Sequence, residues 1–353
     1  MHVGSAIVVM TTSLVMSTAR LQEERRTNHK QPIGHVAVVG ATHGNERMGL
    51  VIVDELRRAP PTCAFELSVL VGNEAAVVAT GTGAGLRYVD TDLNRCFALD
   101  DLAREGVPDA SEERRARELD RLLGPKRSAQ PRCDLILDLH STTSNTGVLL
   151  CLHPRDTFAL ELAAHLTSLD PTIRVALWPD TDDVALLPTI ARSGLTIEVG
   201  ACAHSTVVYS LLVRMRQVVL DALAYVELHN ACLRAGGSGG AGGDAGERRQ
   251  SELSLYKRAY TLDYPRTDGR VSAFIHPMLQ GVRELVEPLQ LSAPIFASLD
   301  GSVARLSAVL PALEEGEELF PMFVNEAAYV EKDVALILAS RERREVAFWA
   351  RGE

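Results

Sequence analysis

Two histidines and two glutamates carry the chemistry that this chain offers. His43 and Glu46 stand three apart in Gly40-Ala-Thr-His-Gly-Asn-Glu46, directly after the apolar run 35–39. An imidazole and a carboxylate at that spacing can reach one cation, and a third ligand with water in the fourth position would complete a catalytic zinc set. The spacing also fits a capped helix start with a solvated histidine, and taken alone that plainer reading stands. A candidate third ligand, His140, closes a second apolar run, Cys133-Asp-Leu-Ile-Leu-Asp-Leu-His140, and precedes Ser-Thr-Thr-Ser. Glu198 is a lone carboxylate in Leu195-Thr-Ile-Glu-Val199. A charge at a buried strand end must either act as a base or pair with a buried cation.

The elements that must position these residues follow from hydrophobic period. Apolar, strand-like runs fall near 35–41, 65–72, 133–139, 147–153, 173–178 and 195–199, and amphipathic helical patterns fill 47–58, 112–123, 156–168 and 205–229. Alternation of this kind predicts an α/β fold with a sheet flanked by helices, and strands that stop at polar turns bring His43 and His140 to one sheet edge. The run from Ala235 to Gly246 is almost all glycine, alanine and serine and cannot bury apolar surface, so 235–250 reads as a linker. It separates a catalytic domain, 31–234, from a smaller β-rich domain, 251–353, with short alternating runs and turn signals. Residues 1–30 read as a disordered extension; its apolar run 6–16 is too short and too rich in hydroxyls for a membrane span. An organelle-targeting reading of the extension also survives, because its first acidic residue is Glu23. The glycine-rich 80–85 stretch lacks the lysine of a phosphate loop and reads as a surface insertion.

Composition excludes some partners. With 353 residues, 46% hydrophobic and 23% charged, the chain can bury a full core. Its net charge of -10 argues against a nucleic-acid or anionic-membrane partner, which would need a basic face. Six cysteines without a Cys-x-x-Cys pair read as buried free thiols of a reducing compartment, hence a cytoplasmic protein. A homo-oligomer is compatible with all of this.

In order, His43-Gly-Asn-Glu46, Arg87-Tyr88, Asp92-Leu-Asn94-Arg95, Asp138-Leu-His140-Ser-Thr-Thr, Ile197-Glu198-Val-Gly and Asn325-Glu-Ala-Ala-Tyr329 resemble the motifs of the aspartoacylase and aminoacylase-3 family. The resemblance runs from about 35 to 334. It implies a zinc-carboxypeptidase-like mixed sheet with a C-terminal β domain over the site, and one Zn2+ per subunit held by His43, Glu46 and His140. It further implies Glu198 as general base and Arg87 as stabiliser of the oxyanion. Asn94 and Arg95 would hold the substrate α-carboxylate, and Tyr329 would donate a hydrogen bond near the substrate. Asp138 is either a support for His140 or an edge carboxylate, and Lys332 is either a family lysine or a solvated one.

Departures from the family pattern concern the substrate. Where aspartoacylases carry an arginine and a tyrosine for a second carboxylate, this chain has Pro188 and Val184, and Ala201-Cys-Ala-His-Ser205 replaces Pro-Gln-Pro-Gln. The expected activity is deacylation of small N-acyl-L-amino acids with aromatic or apolar side chains. N-acetyl-L-aspartate is the alternative, should Arg192 replace the missing arginine. A zinc carboxypeptidase is a further alternative, with a cleft narrowed by the Tyr329 segment.

Overall fold

The computed structural model describes residues 20, 23, 27–104, 110–236, 246–310 and 317–351. Most of the N-terminal extension and the centre of the glycine-rich linker lie outside them. The chain already packs at Asn28, within the stretch assigned to the extension. This residue is fully buried and donates from Nδ2 to Asp156 at 2.7 Å.

The catalytic half alternates as its sequence predicts. Strand β1 (His35–Gly40) leads to helix α1 (Arg47–Arg58) and β2 (Glu66–Val71), followed by α2 (Ser111–Leu123), β3 (Leu135–Ser141) and β4 (Gly147–Leu152). Then come α3 (Thr157–Leu169), β5 (Arg174–Leu177), β6 (Ser193–Gly200) and the long α4 (Tyr209–Arg234). Two strands of 17 residues, β7 (Glu247–Asp263) and β14 (Val334–Ala350), pair antiparallel from end to end. Between them lie a two-stranded ribbon, β8 (Arg266–Thr267) with β9 (Arg270–Val271), and a three-stranded sheet of β10 (Ala273–Ile275), β11 (Pro294–Ser298) and β12 (Val303–Arg305). The short β13 (Phe320–Met322) completes the set.

One mixed sheet of nine strands, in the order β13-β14-β7-β5-β4-β6-β3-β1-β2, runs through the molecule. The chain beyond the glycine-rich stretch therefore adds three strands to the catalytic sheet, because β7 pairs in parallel with β5 at Val175 and Leu255. Alternation sorts the two faces of the sheet. Leu135, Leu137 and Leu139 of β3 and Leu195, Ile197 and Val199 of β6 join one core cluster with residues of α1, α3 and α4. Their alternates, Asp138, His140, Thr196 and Glu198, face the other side, and the candidate site lies there.

Candidate active site and metal centre

His43 sits just past β1, where the chain turns under α1. Its loop is held by close backbone packing: a Cβ on Gly44 would lie 2.4 Å from the backbone of Ala76, and one on Gly85 would lie 2.1 Å from the carbonyl of Gly44. Gly85 has φ +73°, a left-handed backbone that glycine adopts without strain. The glycine-rich insertion is thus open at its tip, where Gly81 and Gly83 meet nothing, and anchored at its base. The anchor places Arg87 beside the loop, with the Gly44 amide donating to the Arg87 carbonyl at 3.3 Å.

His43, Glu46 and His140 are buried and converge, with one ligand atom from each within 4.8 Å of the others. Glu46 Oε1 lies 2.6 Å from His43 Nδ1, and its Oε2 lies 3.0 Å from His140 Nδ1. The far nitrogens are tied elsewhere, His43 Nε2 to Asp92 at 3.0 Å and His140 Nε2 to Asp138 at 2.7 Å. Carboxylates behind both rings fix the tautomers so that both Nδ1 atoms face the centre, the usual support for a metal-binding histidine. The two Nδ1 atoms stand only 3.2 Å apart, a lone-pair juxtaposition that a cation between them would relieve, so the donor set fits a zinc-type ion. Asp138 also accepts from Thr42 Oγ1 at 2.6 Å, which makes it a support for the site and not a free edge carboxylate.

Arg87 is clamped by Glu46 at 3.1 Å and Asp92 at 3.3 Å, so its guanidinium is held rigidly at the rim of the centre. Burial opposes ionisation of Asp92, but His43 and Arg87 outweigh it and hold the carboxyl well below its ordinary range. Asn94 accepts from the Leu187 amide at 2.8 Å through Oδ1, which turns its amide donor toward His140 and the cavity. Arg95 is exposed and bonds only the Asn94 carbonyl among the described residues, so its charge is available to a ligand.

Glu198 lines the same cavity of about 150 Å³, together with His43, Glu46, Arg87, Arg95, His140 and Tyr329. Burial pushes its carboxyl up to about 8, with His140 pulling the other way. Tyr329 comes from the C-terminal half, packs its ring against Phe323 at 5.5 Å, and is pushed up to about 12, mainly by burial. Lys332 places Nζ 5.8 Å from the Tyr329 ring centre.

Residues 32–226, over half of the chain, match the succinylglutamate desuccinylase/aspartoacylase catalytic domain. The chain belongs to the succinylglutamate desuccinylase/aspartoacylase family. It is 35% identical over 318 residues to the N-acyl-aromatic-L-amino acid amidohydrolase (carboxylate-forming) of Homo sapiens, covering 87% of this chain and 91% of that one. It is 33% identical over 314 residues to a probable aspartoacylase of Nostoc sp., covering 88% of this chain and 97% of that one. The crystal structure of murine aminoacylase 3 superposes with a TM-score of 0.77 at 32% identity, covering 91% of this chain and 99% of that one.

Against this family background the departures can be placed. Val184 lines a second, outer cavity, and Pro188 packs under β6, where its atoms would meet a Cβ on Gly194 at 2.5 Å. Arg192 does not substitute for the missing family arginine. It points to the opposite end of β6 and pairs with Asp134 at 3.1 Å and with Gln31. His204 lies 3.9 Å from Glu326, a local polar neighbour at the site's edge.

Three carboxylates that build the site escaped the sequence reading. Glu112, in the first turn of α2, accepts from the amides of Val89, Asp90 and Thr91 and so shapes the Arg87–Asp92 loop. Glu326 accepts from Thr142, from Thr143 N at 2.9 Å and from Ser144 Oγ at 3.0 Å, joining the end of β3 to the turn that carries Tyr329. Glu284 accepts from the amides of Phe323 and Val324 and holds the segment before that turn. The recurring small polar residues after His140 were the one available signal, since donors in a row need an acceptor.

Proposed function

We propose that this chain is a zinc-dependent amidohydrolase that cleaves N-acyl-L-amino acids to a small carboxylate and the free amino acid. One observation carries the reading. The His43–Glu46–His140 centre, the half-buried Glu198 and the fixed Arg87 face one small cavity whose rim offers Arg95, which has no ion-pair partner among the described residues. The name borne by the human relative supports the reaction class.

Zinc at this centre supplies Lewis acidity toward the amide carbonyl and the attacking water. Glu198 removes a proton from that water on a carboxylate oxygen and returns it to the departing nitrogen. Burial raises its proton affinity, which suits a group that must take up a proton and hold it until the nitrogen departs. Arg87, locked by two carboxylates, stabilises charge developing on the carbonyl oxygen at no cost of reorganisation. Arg95 and the Asn94 amide bind the α-carboxylate, and the Tyr329 phenol keeps its proton and donates it as a hydrogen bond.

The side chain of the substrate meets apolar walls. Val184, Leu186, Trp178 and Met322 offer no partner to a short carboxylate, and an unpaired buried charge costs on the order of 3 kcal/mol or more. N-acyl aromatic or apolar amino acids are therefore the preferred substrates, with N-acetyl-L-aspartate as the competing reading. Comparing kcat/KM for N-acetyl-L-tyrosine and N-acetyl-L-aspartate tests this. A tenfold or larger preference for tyrosine is expected, and a preference for aspartate overturns the assignment. Free thiols throughout, with five of six cysteines buried, favour a reducing compartment such as the cytoplasm. Among the described residues no helix is long and apolar enough to cross a membrane.

A further inference from the structure

The inner cavity adjoins an outer chamber of about 670 Å³ with which it shares Arg95, Trp178, Leu186 and Tyr329. No step of the reaction above uses the far side of that chamber. Small side chains in register join the two cavities: Thr196 on β6, which lines the inner one, faces Cys151 on β4, which lines both, and Cys151 faces Ala176 on β5, which lines the outer one. The next strand is β7, with Tyr256 beside Ala176. Three inter-strand steps carry this row roughly 14 Å from the strand of Glu198.

On β7 the register is broken in a way that selects which residue looks into the chamber. Arg258 pairs with Ala339 and Tyr260 with the adjacent Leu338, so Ala259 is an extra residue, a β-bulge. The bulge reverses the alternation. Tyr256 and Arg258 share the sheet face of Cys151 and Ala176, where Tyr256 is buried and Arg258 lines the chamber, whereas Tyr260 and Leu262 turn to the C-terminal core. Bulges beside active sites commonly re-aim a side chain in this manner.

The other cations that line the outer chamber away from the α-carboxylate site are occupied. Arg155 pairs with Asp180 and Asp182 at 2.9 Å each, and Lys257 and Arg344 share Glu342. Arg258 has no hydrogen-bond or ion-pair partner among the described residues, and its charge is felt by the Tyr329 phenol.

We propose that the outer chamber is a side-chain subsite for N-acyl amino acids whose side chain is an extended apolar or aromatic group ending in an anion, and that Arg258 pairs with that anion. The proposal rests on the amidohydrolase reading and narrows its substrate class. Aspartate, with its carboxylate one carbon from Cα, leaves that charge against Val184 and Leu186. A para-substituted ring spans the small-residue row and carries its substituent toward β7. A charge-assisted pair at a half-open mouth changes affinity by about tenfold.

The test compares N-acetyl-4-carboxy-L-phenylalanine with N-acetyl-L-phenylalanine. Dissociation constants are measured by calorimetry on zinc-loaded Glu198→Gln protein, alone and combined with Arg258→Leu or Arg258→Lys, and kcat/KM is measured with Glu198 intact. The carboxylated ligand is expected to bind about tenfold more tightly, with the ratio of the two constants falling to one or below in Arg258→Leu and partly kept in Arg258→Lys. A ratio in Arg258→Leu unchanged from that of the Arg258 protein, or no advantage for the carboxylate with Arg258 in place, overturns the subsite, as does failure of both ligands to bind. An Arg258-dependent ratio in a protein that hydrolyses neither ligand upholds the subsite and overturns the amidohydrolase reading instead.

Discussion

The atoms that decide the metal centre are those turned away from it. Asp92 and Asp138 hold the Nε2 atoms of His43 and His140, and only that leaves both Nδ1 atoms facing inward. His140→Ala should lose the ion, as read by elemental analysis of dialysed protein; full metal content and full turnover in that variant would show that His140 is no ligand. Asp138→Asn should keep the ligand set yet weaken metal affinity by roughly 10- to 100-fold in a competition titration with a chelator. Glu198→Gln should retain metal and substrate binding while kcat falls on the order of 10²-fold or more. A loss confined to KM would make Glu198 a binding residue. At this scale His140 and Glu198 were legible as candidates because one closes and the other interrupts an apolar run, and His43 and Glu46 because they stand three apart in the polar turn that follows one. Glu112 was not, since in Ser111-Glu-Glu-Arg-Arg it looks like any solvated first-turn carboxylate, and nothing local says that three loop amides will fold onto it.

Elements of the catalytic half were legible because strands with period two and helices with period 3.6 alternate there without conflict. The C-terminal half was less so. Its two 17-residue strands read as short runs because β7 opens with Glu247-Arg-Arg-Gln, exposed residues that follow directly on the glycine-rich stretch. Their length comes from pairing with each other, a long-range fact. Two buried carboxylates stitch this half to the site. Glu326→Ala would strand the donors of Thr142, Thr143 and Ser144, so a loss of about 3 kcal/mol in urea unfolding is expected, accompanied by lower kcat as Tyr329 loosens. Glu284 behaves differently. Burial pushes it up from 4.5 to about 8, so the folded chain keeps a proton that the unfolded chain has released. The stability tied to that proton is complete below about 4.5 and is lost as pH rises toward 8, with a slope of at most ~1.4 kcal/mol per pH unit. Glu284→Gln should flatten the pH dependence of the urea midpoint between pH 5 and 8; an unchanged slope would show that Glu284 is ionised in the fold.

For the whole molecule, a metal that binds the native state alone adds to its stability by mass action. Chelation should therefore lower the Tm as well as abolish turnover, and added zinc should restore both; a Tm indifferent to chelator would mean that no ion was bound to the native state. The nine-stranded sheet has a mechanical consequence. β7 is bonded to β5 at Leu255 to Lys257 and to β14 along its whole length, and β14 leads straight back from the turn that bears Tyr329. The pair acts as a beam built into the catalytic sheet, carrying the roof of the site on its free end. Swinging that roof aside would shear backbone hydrogen bonds, so large hinge opening is closed to this molecule. Ligands must enter and leave past rotating side chains at a mouth of nearly constant width, which makes girth, more than flexibility, the first filter on what the enzyme can meet.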